Sequence, residues 1–304
     1  MTDALARIRA RGSCRTFGPT APAQALLDEI GQLAAAKTAG PFGTPLRFRL
    51  IDGSGARGPG RRLGTYGIVR GAALYLVGAV GGGARTADGI DQPMAVEDYG
   101  WVMEELVLEA TGRGLGTCWM AGTFDRSGFA RAMRLADGET MPAIVPLGVP
   151  APARSALDAV MHIVAGSRGR RPWGSLFFRE GHRSGSGPVE PKAASAPTLR
   201  PLRPLDPDEA GAWRACLEAV LVAPSARNAQ PWRIVMEEGS ERFKLLLAGP
   251  VAERSVRRLD AGIAMCHFAL AAAAAGLAGR WVAEEPPRRP AGSGLVAVAR
   301  WLAD

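Results

Sequence analysis

The chain has 304 residues, 47% of them hydrophobic, and carries a formal net charge of +8. This length is enough to bury one large or two ordinary hydrophobic cores, and no apolar stretch reaches the roughly 20 residues that a membrane span needs. The basic residues are almost all arginines scattered along the chain without interleaved aromatic residues, so the charge does not by itself indicate nucleic-acid binding. Since no apolar core follows the first arginines either, as it would in a signal peptide, we expect a cytoplasmic protein with neither a membrane nor a nucleic acid as its partner.

Hydrophobic periodicity predicts helices that alternate with strands along the chain. Before residue 184, helices are predicted over residues 3–10, 22–37, 96–111 and 127–133, and strands over residues 46–51, 72–80 and 143–149. Residues 184–201 are rich in Ser, Gly, Pro and Ala, which is typical of a linker between a first half, residues 1–183, and a shorter second half, residues 202–304. In the second half, helices are predicted over residues 207–222 and 259–275, and strands over residues 233–238, 243–248, 280–283 and 295–302. The pattern favours mixed β-sheets covered by helices, an α+β architecture.

The two halves are unequal copies of one unit. Pro45–Gly53 aligns with Pro231–Gly239, and Asp98–Trp119 aligns with Asp260–Trp281. The second pair of segments keeps Asp, Gly, Leu, Ala and Trp at the same spacing, which an alanine-rich helix alone would not produce. We interpret the repeat as an ancient duplication that gives a fused pseudo-dimer, because a symmetric dimer buries the same patch of both subunits and fusion makes that interface internal.

The cysteines and histidines predict no site of their own. The four cysteines form no Cys-x-x-Cys pair and lack metal-ligand spacing with the three histidines, so we predict neither a disulfide framework nor a metal site. Cys216 and Cys266 fall within helical patterns and are expected in the core. No motif includes His162, His182 or His267, which are expected to be structural rather than catalytic.

Each half carries motifs that the other lacks. The first half contains Arg11–Phe17 (Arg-Gly-Ser-Cys-Arg-Thr-Phe), Gly114–Phe124 (Gly-Leu-Gly-Thr-Cys-Trp-Met-Ala-Gly-Thr-Phe) and the basic segment Gly166–Pro172. The second half contains Pro224–Trp232 (Pro-Ser-Ala-Arg-Asn-Ala-Gln-Pro-Trp). Arginine presents a fork of donors that suits a phosphate. A site that uses all of these motifs would therefore suit a small anionic ligand, and it can be assembled only once, where the two halves meet.

Together these motifs resemble those of the nitroreductase family of flavin mononucleotide (FMN) enzymes. The resemblance covers nearly the whole chain in two passes, and it is strongest to the branch in which one chain holds two nitroreductase-like halves. Ordinary members of the family are dimers with two FMN sites at the interface, each built from both subunits. The resemblance implies a nitroreductase-like, internally duplicated pseudo-dimer that is a monomer and has one FMN site between its halves.

The resemblance also assigns roles to residues of the first half. Arg11 and Ser13 would hold the FMN phosphate and ribityl chain, and Arg15 would face the N1/O2 edge of the flavin, where positive charge favours the reduced form. Gly12 stands where a bulkier residue is commoner, so any contact from that side chain is lost. The backbone N–H groups of Ala121 and Gly122 would point at flavin N5 and O4. Four more residues complete the first-half set: Thr65 and Tyr66 near the pyrimidine edge, and the phosphate-site cations Arg168 and Arg170.

The second half would supply the part that a partner subunit supplies elsewhere in the family, namely Pro224, Ser225 and Asn228. The first half has Phe42 and Leu46 where the second half has Asn228 and Trp232, so a second FMN site is predicted to be lost. Trp232 itself is expected in the core.

The activity implied by the resemblance is ping-pong transfer of a hydride from NADH or NADPH through FMN to an electron-poor acceptor, such as a nitroaromatic compound or a quinone. It requires no protein nucleophile. Two alternatives remain open at this point. The chain could bind or store flavin with little turnover, or it could bind nucleic acid or another anion through its positive charge.

Overall fold

The computed structural model describes residues 2–53, 63–81, 94–152, 169–181, 201–249, 254–284 and 294–304. The described residues up to 152 contain four helices and four strands: α1 (Thr2–Ala10), α2 (Gln24–Ala36), β1 (Leu46–Asp52), β2 (Leu74–Val80), α3 (Ala95–Gly112), β3 (Gly116–Thr117), α4 (Arg126–Met133) and β4 (Ile144–Gly148). The remaining elements are β5 (Phe177–Glu180), β6 (Leu202–Pro204), α5 (Arg214–Leu221), β7 (Trp232–Met236), β8 (Phe243–Ala248), α6 (Arg254–Ala274), β9 (Gly279–Ala283) and β10 (Leu295–Ala303).

The strands form a four-stranded and a six-stranded sheet, and four strands of the second sheet repeat the order of the first. The first sheet has the order β1-β2-β4-β3, and the second has the order β6-β5-β7-β8-β10-β9. All pairs within β1-β2-β4-β3 and within β7-β8-β10-β9 are antiparallel. Because α3 follows β2 as α6 follows β8, the second half repeats the topology of the first, and the predicted α+β pseudo-dimer is confirmed.

Strand β5 belongs to the second sheet, although it precedes the predicted linker in the sequence. It pairs in parallel with β7, with Phe177 opposite Ile234 and Phe178 opposite Val235, and β6 pairs with its other edge. The two halves are thus joined by one strand of the first half in the second sheet as well as by helix packing. Most of the predicted linker lies outside the described residues, so its boundaries at residues 184 and 201 stay predictions.

The two halves meet along α3 and α6, which approach each other closely at two glycines. A Cβ on Gly100 would lie 2.3 Å from the carbonyl oxygen of Leu259, and a Cβ on Gly262 would lie 2.0 Å from that of Glu97. Both glycines, and both residues they face, are equivalent in the internal repeat, so the contact has the reciprocity of a symmetric dimer interface. Glu97 is fully buried there and pairs with Arg258 of α6, with 2.5 Å between Oε1 and Nε.

The core of the second half is aromatic. Phe268 of α6 lies at its centre, with ring centroids of Trp213, Phe243, Trp281 and Trp301 between 5.0 and 5.8 Å away. The first-half core packs α3 against the sheet, and it includes the tilted pair Phe48–Tyr99. No helix within the described ranges is long and apolar enough to cross a membrane.

Most predicted elements are observed with small shifts of their ends, and three differences have physical reasons. The helix predicted over residues 207–222 is a 3-10 turn followed by α5, because Gly211 has a φ of 53° and breaks the regular path. Strands β3, β5 and β6 have four residues or fewer, too short for a periodic signal. Helix α6 begins at Arg254, before its apolar pattern starts.

The core assignments made from the sequence are confirmed. Trp232, Cys216 and Cys266 are each 0% exposed.

Candidate functional site

A cavity of about 260 Å³ lies between the two halves. This volume is close to the lower end of ligand pockets, which run from roughly 300 to 1,000 Å³. Its walls come from both copies of the repeat and from the segment before β5. The lining residues are Arg11, Gly12, Ser13, Arg15, Trp119, Ala121, Arg170, Pro224, Ser225, Ala226, Arg227, Asn228, Val256, Leu259, Asp260 and Ile263.

The segment that follows α1 runs alongside β3 and presents alternate side chains to the cavity. The Cys14 N–H donates to the Thr117 carbonyl oxygen at 2.8 Å, and the Phe17 N–H donates to that of Arg70 at 3.0 Å. In an extended segment residues i and i+2 face the same way. This local geometry places Arg11, Ser13 and Arg15 together in the cavity wall.

The loop that follows α5 forms the opposite wall in a strained conformation. Arg227, Asn228 and Gln230 have positive φ angles of 52°, 53° and 47°, which costs of order 1–3 kcal/mol for each residue. Two hydrogen bonds hold the loop: the Gln230 N–H donates to Ser225 Oγ at 2.9 Å, and the Ala226 N–H donates to Asp260 Oδ1 at 3.1 Å. The helix α6 thereby positions the loop that lines the cavity.

Arg170 joins the segment before β5 to the same loop. Its guanidinium donates to the carbonyl oxygens of Ala223 and Val222, at 2.7 and 2.8 Å, where α5 ends. A cation is favourable at a helix C-terminus, where carbonyl groups lack partners within the helix. The Asn228 Nδ2 group donates to the Gly169 carbonyl oxygen at 2.7 Å and completes this connection.

The cavity has a strongly cationic wall. Burial lowers the pKa of Arg11, while Glu104 and Cys118 act in the opposite direction. Burial and the nearby charge of Arg11 lower the pKa of Arg170 to about 10. Each arginine therefore makes the charge of the other more costly, and an anionic ligand between them would relieve that cost.

Asp260 is the acidic residue in the cavity lining. Burial raises the pKa of Asp260 to about 8, against smaller opposing contributions from the Ala226 N–H and from Arg257. Burial therefore favours the uncharged form of Asp260, which offsets less of the positive charge of the arginine wall than an exposed aspartate would.

Behind the cavity wall, Glu104 and His267 form a fully buried pair between α3 and α6. The His267 Nε2 atom lies 2.9 Å from Glu104 Oε1, and the His267 Nδ1 atom lies 2.9 Å from the Ala219 carbonyl oxygen. The Trp119 indole N–H donates to Glu104 Oε2 at 2.6 Å, and Arg11 Nε lies 3.7 Å from Glu104 Oε1. Two residues of the cavity wall, Arg11 and Trp119, thus contact the same buried carboxyl group.

The structure brings most of the predicted site residues together. Nine of them line this cavity: Arg11, Gly12, Ser13, Arg15, Ala121, Arg170, Pro224, Ser225 and Asn228.

The other four predicted residues are not part of this lining. Thr65 is buried, and its hydroxyl oxygen accepts the Val69 N–H at 3.2 Å. Tyr66 is 74% exposed and Gly122 is exposed, and Arg168 lies outside the described residues.

Two buried acids near the cavity, Glu104 and Asp260, were not among the residues predicted from the motifs. The signal for Asp260 was its match with Asp98 in the repeat. Asp260 and Asp98 have equivalent roles, since each accepts backbone N–H groups of the loop before it. Asp260 accepts that of Ala226, and Asp98 accepts those of Phe42 and Thr44 at 2.9 Å. Glu104 has no counterpart of its own type in the repeat, and only its place on the apolar face of a helix could have marked it.

Comparison with known proteins gives one family match and several similar structures. The family model described as "Putative TM nitroreductase" matches residues 86–272, which is more than half of the chain and includes parts of both halves. No curated protein sequence matches the chain.

Three solved structures illustrate the structural similarity. A protein described as a "putative nitroreductase" from Thermotoga maritima has a TM-score of 0.56 at 18% identity, over 98% of this chain and 92% of that chain, and so has the same fold. A nitroreductase family protein from Clostridium novyi NT gives a TM-score of 0.37 at 24% identity, over 51% of this chain and 89% of its own. A nitroreductase with bound FMN from Desulfitobacterium hafniense DCB-2 gives 0.36 at 19% identity, over 51% of this chain and 92% of its own.

Proposed function

The chain belongs to the family described as "Putative TM nitroreductase", and on that premise we propose that it is an FMN-dependent oxidoreductase with its cofactor in the cavity between the halves. The reductant in this proposal is NADH or NADPH, and the acceptor is an electron-poor small molecule such as a nitroaromatic compound or a quinone. One observation carries the proposal. Arg11 is buried in the cavity wall next to Arg170, and its Nε atom has no hydrogen-bond partner among the described residues.

The residues of the cavity fit the parts of FMN by their chemistry. Arg11 and Ser13 would bind the phosphate and the ribityl chain, because charged and hydroxyl donors suit phosphate and hydroxyl oxygens. Arg15 would hold positive charge at the pyrimidine edge of the flavin, and the backbone of Ala121 would donate to its N5/O4 side. When bound, FMN supplies hydride acceptance and electron transfer, so no protein nucleophile is needed.

The second half would complete the site in the same chain. Ser225 keeps a hydroxyl hydrogen available, since its oxygen already accepts the Gln230 N–H. Asn228 is held next to Arg170 by its bond to Gly169. Residues equivalent to a partner subunit's motif are therefore present in cis, and we propose a monomer on this ground.

The equivalent position in the first half supports a single FMN for each chain. Phe42, the counterpart of Asn228, packs against the hydrophobic core of the second half and is partly buried there. Asp98 fixes the backbone on both sides of this position. An apolar ring has replaced the polar side chain that the proposed site uses, so titration should saturate at one FMN per chain, and saturation at two would contradict the proposal.

Replacement of the buried arginine tests the cofactor site. Arg11→Ala should weaken FMN binding by about 1.5–3 kcal/mol, roughly 10- to 150-fold, because it removes a charged donor to a phosphate. The measurement is quenching of FMN fluorescence on titration with protein. Arg203→Ala is the matched control, since Arg203 is exposed, pairs with Glu209 and does not line the cavity. Equal affinity for the two variants would remove Arg11 from the site.

Reduction of the bound flavin tests the activity. The visible absorption bands of the FMN-loaded protein should bleach when NADH or NADPH is added under nitrogen, and a nitroaromatic compound or quinone should restore them. Bands that persist with either nucleotide would instead favour a protein that stores flavin. Absence of FMN binding altogether would reopen the alternative of an anion- or nucleic-acid-binding protein, for which a steep salt dependence of DNA binding is the test.

A further inference from the structure

The geometry of the Glu104–His267 pair requires a proton between the two side chains. The Ala219 carbonyl oxygen can only accept a hydrogen bond, so the hydrogen on His267 Nδ1 points to it at 2.9 Å. A bare Nε2 atom and an ionised carboxylate oxygen are both acceptors and would repel each other at the observed 2.9 Å. A proton therefore lies between Nε2 and Oε1, and the pair has a net charge of zero rather than −1, whichever atom carries that proton.

The pair breaks the internal symmetry of the molecule on the side of the cavity. In the repeat, the counterpart of Glu104 is Cys266 and the counterpart of His267 is Glu105. Trp119 donates to Glu104, whereas the indole N–H of its counterpart Trp281 is buried and has no hydrogen-bond partner in the described structure. Since the helices are otherwise matched, the carboxyl–imidazole pair is a specialisation of one side of the interface.

The charge of this pair determines what Arg11 meets. Arg11 Nε lies 3.7 Å from Glu104 Oε1, which is an ion-pair distance but too long for a normal hydrogen bond. A fully ionised carboxylate at that distance, in a buried site, would attract the guanidinium strongly and compete with an anionic ligand. Sharing a proton with His267 weakens that competition and still fixes the position of Glu104.

The other ionisable groups around the pair are three buried thiols and one acid that has a partner of its own. Burial raises the pKa of the Cys216 thiol to about 12, and burial also raises the pKa of the Cys266 thiol. Cys118, which follows β3, is a buried thiol that raises the pKa of Arg11. Glu105, the next residue on α3, is paired with Lys37.

We propose that Glu104 and His267 are positioning residues that share one proton and hold Arg11 toward the cavity without neutralising it, so that the site prefers a phosphorylated flavin to an unphosphorylated one. This inference rests on the proposed function. It extends that proposal by assigning the preference for the phosphate to two buried residues that do not line the cavity.

The test compares FMN with riboflavin, which lacks the phosphate, in two variants that keep a polar side chain and in their double variant. In His267→Gln the amide N–H can donate to Glu104 but brings no proton to share, so Arg11 becomes the nearest cation that can balance the carboxyl group, and the ratio of FMN affinity to riboflavin affinity should fall roughly tenfold or more, the value of a charged hydrogen bond. Glu104→Gln removes the competing carboxylate, so the ratio should stay equal to that of the wild type or rise. The double variant Glu104→Gln/His267→Gln should recover the ratio lost in His267→Gln.

A purely structural role would give a different result. Both single variants would then weaken FMN and riboflavin by the same factor and leave the ratio unchanged, which would overturn the inference. Riboflavin affinity and urea unfolding of each variant separate this case from misfolding, and recovery in the double variant cannot arise from simple loss of packing.

A second readout requires no flavin. Proton NMR of the wild-type protein in the absence of flavin should show a far-downfield imidazole N–H resonance that is lost in His267→Gln and moves upfield in Glu104→Gln. Its absence from the wild type would overturn the shared proton even if FMN binds. Conversely, a protein that shows this resonance but binds neither flavin would refute the proposed function and the phosphate preference, while the shared proton itself would stand.

Discussion

The contact between α3 and α6 should be intolerant of even one added methyl group. A Cβ on Gly262 would lie 2.0 Å from the Glu97 carbonyl oxygen, whereas ordinary contact begins at 3.4 Å, so the helices would have to separate locally by the difference of 1.4 Å. The obstacle is backbone, which cannot rotate away as a side chain can. Overpacking typically costs ~1–3 kcal/mol, and the better helix propensity of Ala returns ~1 kcal/mol. Taking the upper end of the packing cost, we expect Gly262→Ala to lower the free energy of unfolding by about 2 kcal/mol.

Urea unfolding measures this loss, and the chain offers a matched control. Gly31 lies within α2, and a Cβ there would meet nothing within 4 Å, so Gly31→Ala should leave stability unchanged or raise it by up to ~1 kcal/mol. Gly100→Ala opens the same contact from the other helix, and the double variant should therefore cost less than the sum of the two single variants. Ordinary surface substitutions change the free energy of unfolding by up to ~0.5 kcal/mol. If the free energies of unfolding of Gly262→Ala and Gly31→Ala differ by no more than this, the reasoning about this contact is wrong.

Three further expectations concern the acid in the cavity wall, the aromatic core and the cysteines. Burial raises the pKa of Asp260 from 3.8 to about 8, so the contribution of this group to stability is full below pH 3.8 and is lost as the pH rises through 8. Asp260→Asn keeps an acceptor for the Ala226 N–H but does not ionise, so its stability relative to the wild type should rise between pH 3.8 and pH 8. A difference between the two free energies of unfolding in urea that stays constant over this interval would contradict the burial argument. Phe268→Ala should cost about 3–5 kcal/mol in the same assay, because it leaves a large cavity among fully buried rings, and a loss below 1 kcal/mol would mean that the cluster repacks. Addition of a reductant should leave the unfolding midpoint unchanged, since the described structure has no disulfide between any of the four cysteines, and a shift would reveal a disulfide.

Local sequence was sufficient for most elements and for much of the candidate site. Helix α3 and strand β8 are predicted because apolar residues recur at the period of each structure, which is a property of neighbouring residues. The motifs Arg11–Phe17 and Pro224–Trp232 named residues that the fold then places in one cavity. A repeat with a tryptophan and an aspartate at fixed spacing was enough to predict two similar halves.

What the sequence could not determine depends on contacts between distant residues. Strand β5, which joins the second sheet, is too short to show a period, and its partner β7 lies beyond the predicted linker. Glu104 and His267 are separated by 163 positions in the chain, and neither belongs to a motif. Burial gives each of them its chemistry, because only the packing of α3 on α6 removes water from both groups and forces them to share a proton.

The duplicated units, their helices and strands, and the motif residues of the cavity were therefore determined by the sequence alone, since each is written in local pattern or repetition. The tertiary structure alone decided which wall each residue joins, that Arg170 caps α5, and that a neutral buried pair stands behind Arg11. These features arise from the packing of α3 on α6 and from the pairing of β5 with β7. Their energies come from excluding water at contacts that no segment of the chain makes by itself.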